Sequence, residues 1–187
     1  MPSGHNPADY VTRRLMVPSH DGALVPATVL HRSDLTLNGT APCFLYAYGS
    51  YGASMPSGFS TTKLSLVARG FKHVAAHIRG GSEKGRNWYN QTKKAGKMHT
   101  FKDFIAVGEY LAAQGYTARG SIVANGGSAG GMLMGAVANM APDLFAGIVA
   151  DVPFVDVLNT MLDDTLPLTP GEWSQWGNPI ESKEEYD

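Results

Sequence analysis

The chain has one cysteine, no long apolar run and no excess of charge of either sign. Its 187 residues include 15 Lys and Arg against 16 Asp and Glu, for a formal net charge of −1. Because this balance gives no global attraction to nucleic acid or to an anionic membrane, we expect neither as a partner. No stretch of about eighteen apolar residues occurs, so the pattern predicts no membrane-spanning helix.

The single cysteine, Cys43, cannot form an internal disulfide. The stretch Met1 to Pro7 lacks the apolar core of a secretion signal. We therefore expect a cytoplasmic protein. His73 and His77 have i, i+4 spacing, but they fall in a predicted strand and have no apparent carboxylate companion. We predict neither a metal ion nor a cofactor.

The Gly-x-Ser-x-Gly run at 126–130, between an apolar and a helical stretch, is typical of a turn that presents a nucleophilic serine, and no histidine follows that serine, Ser128. The six histidines are all upstream of it, at positions 5, 20, 31, 73, 77 and 99. This matters because the α/β-hydrolase triad runs Ser, then Asp or Glu, then His in chain order. We expect a C-terminally incomplete catalytic domain, almost inert as an isolated chain.

Glycine is abundant, with 22 residues, and two of them, at positions 126 and 130, flank a serine. Gly126-Gly127-Ser128-Ala129-Gly130 follows the apolar run Ser121 to Ala124 and precedes a helical stretch, Met132 to Met140. A strand, a Gly-x-Ser-x-Gly turn and a helix are typical of a nucleophile elbow. Side chains at Gly126 and Gly130 would collide in so tight a turn, and Ser128 would stand at the positive end of the helix. The alternative is a packing or anion-binding turn.

An elbow serine also needs donors for the oxyanion that forms during acyl transfer. The backbone N–H of Ala129, directly after the serine, supplies one. The second usually comes from the loop after an earlier strand, here Tyr46-Ala47-Tyr48-Gly49-Ser50-Tyr51-Gly52. No His-Gly-Gly-Gly run occurs there, but a tyrosine hydroxyl could donate instead. Alternatively, these tyrosines pack at the strand end.

Strand-like runs alternate with helical ones, which predicts an α/β fold with a mostly parallel sheet and helices on both faces. The Asp21-Gly22 pair predicts a hairpin between strands at 11–17 and 23–31. We divide the chain into a lead-in hairpin, residues 1–32, and a partial α/β-hydrolase domain, residues 33–187. Thr100 to Asp103 resembles a capping box that opens a helix. Arg79 to Ser82 lacks the residues of a P-loop, and we interpret it as a structural turn.

Several runs, spread in order over most of the chain, resemble the catalytic domain of the prolyl oligopeptidase family and, within it, the oligopeptidase B branch. The runs are Pro2-Ser3-Gly4-His5 with Asp9-Tyr10-Val11, Tyr46 to Gly52, His77-Ile78-Arg79-Gly80-Gly81-Ser82-Glu83, Asn125 to Gly131, Val152-Pro153-Phe154-Val155-Asp156, Pro167 to Trp173, and Trp176-Gly177-Asn178-Pro179. The resemblance implies a β-propeller before this segment and the triad Asp and His after it, so that the chain lacks both.

The resemblance also implies residue roles. Ser128 falls on the nucleophile, Tyr48 on the tyrosine that completes the oxyanion hole with Ala129, Glu172 on an acidic residue that recognises Arg or Lys before the scissile bond, and Phe154 on an aromatic wall of that pocket. Many members of the branch carry a second acidic residue where this chain has Ser174. The alternative for Glu172 is a solvated surface carboxylate.

These observations predict a serine peptidase domain that cleaves short peptides after basic residues by acyl-enzyme chemistry. A carboxylesterase or lipase is the alternative among enzymes, although the missing His-Gly-Gly-Gly run disfavours it. From another class, the chain could be an inactive segment that acts only by binding or self-association.

Overall fold

The sheet that carries the elbow has six strands: β1 (Tyr10–Pro18), β2 (Leu24–Arg32), β3 (Cys43–Tyr46), β4 (Lys72–Ala76), β5 (Ile122–Gly127) and β6 (Phe145–Asp151). In the computed structural model, which describes residues 6–56 and 58–186, their order is β1-β2-β4-β3-β5-β6. The pairs β1–β2 and β2–β4 are antiparallel, and the pairs among β4, β3, β5 and β6 are parallel. The predicted α/β fold with an antiparallel edge is confirmed.

The antiparallel edge is the hairpin β1–β2. Its turn closes with a hydrogen bond from the Ser19 N–H to the Ala23 carbonyl, 2.8 Å. Gly22 has φ +82°, a conformation that glycine adopts without a Cβ clash. The register pairs Tyr10 with Arg32 and Pro18 with Leu24, so the whole length of both strands is matched. The Pro2 to His5 part of the resemblance lies outside the described residues.

Helices cover both faces of the sheet. They are α1 (Thr61–Ala68), α2 (Arg86–Asn90), α3 (Met98–Ala113), α4 (Ala129–Met140), α5 (Val157–Met161), α6 (Thr169–Trp176) and α7 (Lys183–Tyr186). Helices α3 and α4 pack on one face, whereas α1 packs against β2 and β4 on the other. None of the helices in the described residues is long and apolar enough to cross a membrane.

The core lies between the sheet and the α3–α4 layer. Cys43 and Leu45 of β3, and Ala47 directly after the strand, are fully buried on this side. Helix α3 contributes apolar residues at helical spacing, and Gly108 lets the Leu144 side chain approach, since a Cβ there would lie 2.9 Å from Leu144 Cδ2. Burying each large apolar side chain contributes about 1.5–3 kcal/mol. The core therefore holds β3 and β5 rigidly beneath the elbow.

The predicted capping box at the start of α3 is wrong. The helix begins at Met98, so Thr100 and Asp103 both lie inside it, and the cap at Lys97 has no side-chain hydrogen bond. Asp103 is fully buried and instead accepts hydrogen bonds from the Arg79 backbone N–H (3.0 Å) and the Arg79 Nε (2.8 Å). Burying the Arg79 guanidinium without a partner would cost more free energy than a side-chain cap contributes. Asp103 therefore pairs with Arg79 and does not cap the helix.

Candidate active site

Ser128 lies in the turn between β5 and α4 and has strained backbone angles, φ +55° and ψ −120°. Its N–H donates to the Asp151 carbonyl at 2.8 Å, and its carbonyl accepts from the N–H groups of Gly131 and Phe154, both at 2.9 Å. These bonds, made on both sides of the residue, hold a non-glycine conformation that costs on the order of 1–3 kcal/mol. The side chain is exposed. The strain therefore serves to present a serine hydroxyl to solvent.

The glycines around Ser128 are required by close backbone approach. A Cβ on Gly126 would lie 2.4 Å from the Gly130 carbonyl oxygen, and one on Gly131 would lie 2.5 Å from Pro153 Cα. A Cβ on Gly130 would lie 3.0 Å from the Ala47 carbonyl oxygen. None of the three has a positive φ. The strained dihedral thus belongs to the serine itself, and the glycines make room for it.

Two groups that the sequence analysis assigned to an oxyanion hole lie beside this turn. Ala129 begins α4, so its N–H belongs to the first turn and has no partner within the helix. Tyr48 follows β3, and its Cα and Cδ2 lie 3.3 Å from the Cβ position of Gly130. The Tyr48 side chain therefore packs against the first turn of α4, next to the serine.

A cavity of about 450 Å³, the site cavity, opens at Ser128. Its wall combines the serine with the loop after β6 and with α5 and α6. The lining residues are Tyr51, Ser128, Val152, Pro153, Phe154, Thr160, Met161, Leu166, Pro167, Leu168, Thr169 and Glu172. The wall is mostly apolar and carries one carboxylate, which makes it a pocket able to orient a ligand by charge.

That carboxylate, Glu172, is held by aromatic side chains. Its Oε2 accepts hydrogen bonds from Tyr51 Oη and Trp176 Nε1, each at 3.0 Å. The Trp176 ring makes edge contacts with Phe154 (5.5 Å between centroids) and with Tyr51 (5.7 Å). Burial, followed by the contact with Glu172, raises the pKa of Tyr51, so this hydroxyl stays a donor at neutral pH. The aromatic groups thus fix a negative charge at the cavity wall.

Ser174 lies two residues after Glu172 on α6 and is exposed. Two helical residues are about 200° apart around the axis, so the Ser174 side chain leaves the helix on a different side. Glu172 is therefore the carboxylate that α6 brings to the cavity.

Sequence reasoning missed Lys97. This side chain is buried, and its Nζ donates to the Gly49 carbonyl and the Ser50 Oγ, both at 2.6 Å. It also stands 5.1 Å from the centre of the Trp176 ring. Burial lowers the pKa of Lys97 to about 7. Nothing in the sequence distinguishes it from its neighbours Lys93 and Lys94, because the loop it supports lies 47 residues upstream.

A second group missed by the sequence analysis joins β5 to β6 beside the serine. Asn125 Nδ2 donates to Asp151 Oδ2 (2.9 Å) and to the Val149 carbonyl (3.1 Å). Val152, which directly follows Asp151 at the end of β6, has φ +41° and is 86% exposed. A positive φ is unusual for a β-branched residue, and it turns the chain sharply from β6 into the loop that lines the cavity.

The described histidines have partners other than Ser128. His20 contacts Ser19 and His99, His31 contacts the Arg32 carbonyl, and His73 packs on Phe44. His77 lies between Thr28 Oγ1 (2.8 Å) and Glu83 Oε1 (3.4 Å). The expectation that His77 has no carboxylate companion is therefore wrong, since Glu83 folds back from the following loop. His5 is outside the described residues.

Comparison with known proteins agrees with this geometry. A model described as the prolyl oligopeptidase family matches residues 57–187. The chain is 52% identical over 185 residues to dipeptidyl aminopeptidase BI of Pseudoxanthomonas mexicana, covering 98% of this chain and 25% of that protein. It is 46% identical over 179 residues to protease 2 of Moraxella lacunata, covering 96% and 26%.

Solved structures give the same result. Oligopeptidase B from Leishmania major superposes with a TM-score of 0.93 at 47% identity, covering 98% of this chain and 26% of that one. Oligopeptidase B from Trypanosoma brucei with covalently bound antipain gives a TM-score of 0.92 at 45% identity, covering 96% and 26%. The chain thus spans about a quarter of the length of these relatives.

Proposed function

Because the chain belongs to the prolyl oligopeptidase family, we propose that its site cavity serves a serine peptidase that cleaves short peptides after arginine or lysine. One observation carries this proposal: a strained, exposed serine and a carboxylate held by aromatic residues line the same cavity. The first supplies a nucleophile, and the second supplies a counter-charge for a basic side chain. Relatives named as peptidases support the reaction type.

In the proposed mechanism, Ser128 Oγ attacks the carbonyl carbon of the scissile bond. The oxyanion accepts hydrogen bonds from the Tyr48 hydroxyl and the Ala129 N–H; the proposal is supported by the packing of Tyr48 beside Gly130 and by the position of Ala129 at the start of α4. The peptide C–N bond breaks as the leaving amine takes a proton, and water then hydrolyses the acyl-enzyme ester. A general base is required to accept the serine proton.

Glu172 would select the substrate. A carboxylate in a largely apolar wall favours a cation, and a guanidinium can bind it through two parallel hydrogen bonds. Oε2 is occupied by Tyr51 and Trp176, which keep the carboxylate in place. Phe154, whose ring packs on Trp176, would contact the aliphatic part of the substrate side chain. With Ser174 directed elsewhere, we expect recognition by one carboxylate and a correspondingly moderate preference for Arg and Lys.

We further propose that residues 1–187, expressed alone, are almost inert, with residues 1–32 as a lead-in hairpin and 33–187 as part of the catalytic domain. All six histidines precede Ser128, and the five described ones have partners elsewhere. Without a base the serine remains a neutral hydroxyl at pH 7. Rapid peptide hydrolysis by this polypeptide, abolished by Ser128→Ala, would show that a base exists within it.

The test of specificity is a panel of peptide substrates for the full-length protein, with Arg, Lys or a neutral residue before the scissile bond. Each substrate is offered with a blocked and a free N-terminus. Glu172→Gln should lower the Arg-to-neutral ratio of kcat/KM by roughly 10–150-fold, since a charge-assisted hydrogen bond contributes about 1.5–3 kcal/mol. Glu181→Gln, which removes an exposed carboxylate, is the matched control.

The same panel separates the alternatives. An unchanged Arg-to-neutral ratio in Glu172→Gln would contradict the assignment of the pocket. Cleavage confined to free N-termini would favour removal of dipeptides, the activity in the name of the Pseudoxanthomonas mexicana relative. Hydrolysis of esters but not of peptides would favour a carboxylesterase.

A further inference from the structure

Away from the site cavity, the hairpin turn β1–β2 and the first turn of α3 bring together two histidines and an aspartate. His20 Nε2 lies 3.3 Å from His99 Nδ1, and Asp21 Oδ2 lies 3.5 Å from His99 Nδ1 and 4.0 Å from His20 Nε2. We propose that His20, Asp21 and His99 form a binding site for a zinc ion. The proposal does not depend on peptidase activity.

The separation of the two histidine nitrogens is that of tetrahedral zinc ligands. Zinc binds imidazole nitrogen at about 2.0–2.1 Å, so two tetrahedral ligands stand about 3.3–3.4 Å apart, against about 2.9 Å for neighbours in an octahedron. The His20–His99 separation of 3.3 Å meets the tetrahedral value, and the 3.5 Å between His99 and Asp21 exceeds it slightly. The 4.0 Å between His20 and Asp21 exceeds it by about 0.6 Å, so the Asp21 carboxylate would move toward His20 when the ion binds. Two imidazoles and a carboxylate are also zinc ligands by type, whereas Mg²⁺ and Ca²⁺ prefer oxygen ligands throughout.

A hydrogen-bond chain directs the right nitrogen of His20 into the cluster. Ser19 Oγ donates to Asp103 Oδ1 at 2.5 Å and lies 3.1 Å from His20 Nδ1. Because the Ser19 hydroxyl proton is used by Asp103, the serine oxygen accepts from the Nδ1–H of His20. The lone pair of neutral His20 is then on Nε2, facing His99 and Asp21. Such an outer hydrogen bond is what orients histidine ligands in zinc sites.

Two carboxylates, Asp21 and Asp103, face the single positive charge of Arg79, so one negative charge remains available to a metal ion. Arg79 binds Asp21 through Nη1 (2.6 Å, to Oδ2) and Nη2 (3.1 Å, to Oδ1). Its positive charge is also matched by the buried Asp103, which accepts from Nε and Nη2. Asp21 Oδ2 keeps a second lone pair, so it can bind a metal while Arg79 holds it in place. Lys102, which is exposed, is a further cation near His20, and its charge opposes the binding of a metal ion.

The cluster is open to an ion from solvent. The side chains of His20, Asp21 and His99 are 31%, 33% and 38% exposed, so an ion can enter and water can complete its coordination. A bound ion would tie the hairpin turn to α3, next to the Arg79 carbonyl that accepts a hydrogen bond from Thr100 Oγ1 at 2.9 Å. The sequence analysis, which considered only His73 and His77, predicted no metal; His20 and His99 are 79 residues apart, and no local pattern pairs them.

The competing explanation is a stacked imidazole pair, whose ring centres are 5.2 Å apart. Calorimetric titration of tag-free full-length protein with Zn²⁺ separates the two. We expect the wild type to bind one Zn²⁺ per chain, and His99→Gln and His20→Gln to lose this binding. Ser19→Ala, which removes the outer hydrogen bond, should bind Zn²⁺ about 10–100-fold more weakly. His5→Gln, a matched loss of one histidine, should bind as wild type, and Lys102→Gln should bind as well or more tightly.

Thermal unfolding gives the second measurement. Zn²⁺ should raise the Tm of the wild type and of Lys102→Gln, because an ion that binds the folded state stabilises it. It should not raise the Tm of His99→Gln or His20→Gln, and the metal-free Tm of each variant reports whether it folds. The absence of Zn²⁺ binding by the wild type, or equal binding by the wild type and both histidine variants, would overturn the proposal. Equal binding of Mg²⁺ would do the same.

Discussion

Two of the cavities formed by the described residues have the same volume, about 450 Å³, but differ in the chemistry of their polar groups. The site cavity contains an exposed serine in a strained turn and the carboxylate of Glu172. The second, the hairpin cavity, lies between β1, β2, β4 and the segment that leads into α1. Its lining residues include Thr28, Leu30, Lys63, Leu64, His73, Ala75 and His77.

The two histidines of the hairpin cavity are already engaged or held neutral by burial. His77 is hydrogen bonded on both ring nitrogens, to Thr28 and Glu83. His73 packs on Phe44, and burial lowers its pKa to about 4. Equal volume therefore does not give equal chemistry. A reactive group held in a strained, solvent-facing conformation marks the site cavity.

Loss of the nucleophile should have the largest effect. We expect Ser128→Ala in the full-length protein to lower kcat by about 10⁶, as when a serine hydrolase loses its nucleophile. Turnover of a peptide substrate and labelling by a serine-reactive fluorophosphonate measure it, and Ser121→Ala, another serine near β5, is the control. Near-normal turnover would move the chemistry away from the site cavity.

Loss of the tyrosine donor should come next. Tyr48→Phe keeps the ring that packs beside Gly130 and removes only the hydroxyl. One oxyanion donor contributes about 2.7–4 kcal/mol, so kcat should fall about 10²–10³-fold with little change in substrate binding. The measurement uses a substrate for which acylation limits the rate, with Tyr46→Phe as control. A variant with unchanged kcat would show that the tyrosine only packs.

Lys97, which supports the loop beside the site cavity, should make stability depend on pH. Its pKa is about 7 when folded and 10.5 as a free side chain. Between these values the unfolded chain binds more protons, so the free energy of unfolding rises with pH, by at most about 1.4 kcal/mol per unit. We therefore expect the free energy of unfolding, measured with urea, to rise above pH 7 in the wild type relative to Lys97→Met. If the unfolding free energies of the two proteins changed in parallel with pH, the interpretation of Lys97 as a buried, titrating lysine would be wrong.

The smallest effect on catalysis is expected in the hairpin cavity. His73→Gln should leave kcat unchanged when active enzyme is counted by fluorophosphonate titration, because no reacting group lies there. Its effect should be on stability: from pH 6.5 down to about 4 the unfolded wild type binds more protons, so the wild type loses stability relative to the variant. A fall in kcat would show that the two cavities are coupled.

The sequence predicted the fold and the position of the elbow because both depend on short-range patterns. The continuous apolar run from Cys43 to Tyr48 indicates a buried strand of a parallel sheet, and apolar residues at helical spacing after Thr100 indicate the apolar face of α3. The Gly-x-Ser-x-Gly run between a strand and a helix placed Ser128 at the edge of the sheet. The predicted capping box was wrong because a long-range contact decides the position of Asp103, which accepts a hydrogen bond from Arg79, 24 residues away.

By itself, then, the sequence determined the succession of the six strands and of α1, α3 and α4 along the chain, the elbow and the family. Periodicity, turn chemistry and the spacing of motifs are local properties of the chain, whereas the order of the strands within the sheet is not. Only the tertiary structure decided which distant side chains meet. Lys97 reaches Ser50, Glu83 reaches His77, Tyr51 reaches Glu172, and His20 reaches His99. These contacts arise because parallel strands are joined by crossovers that bring remote loops to common edges of the sheet, and no local pattern records which loops they will be.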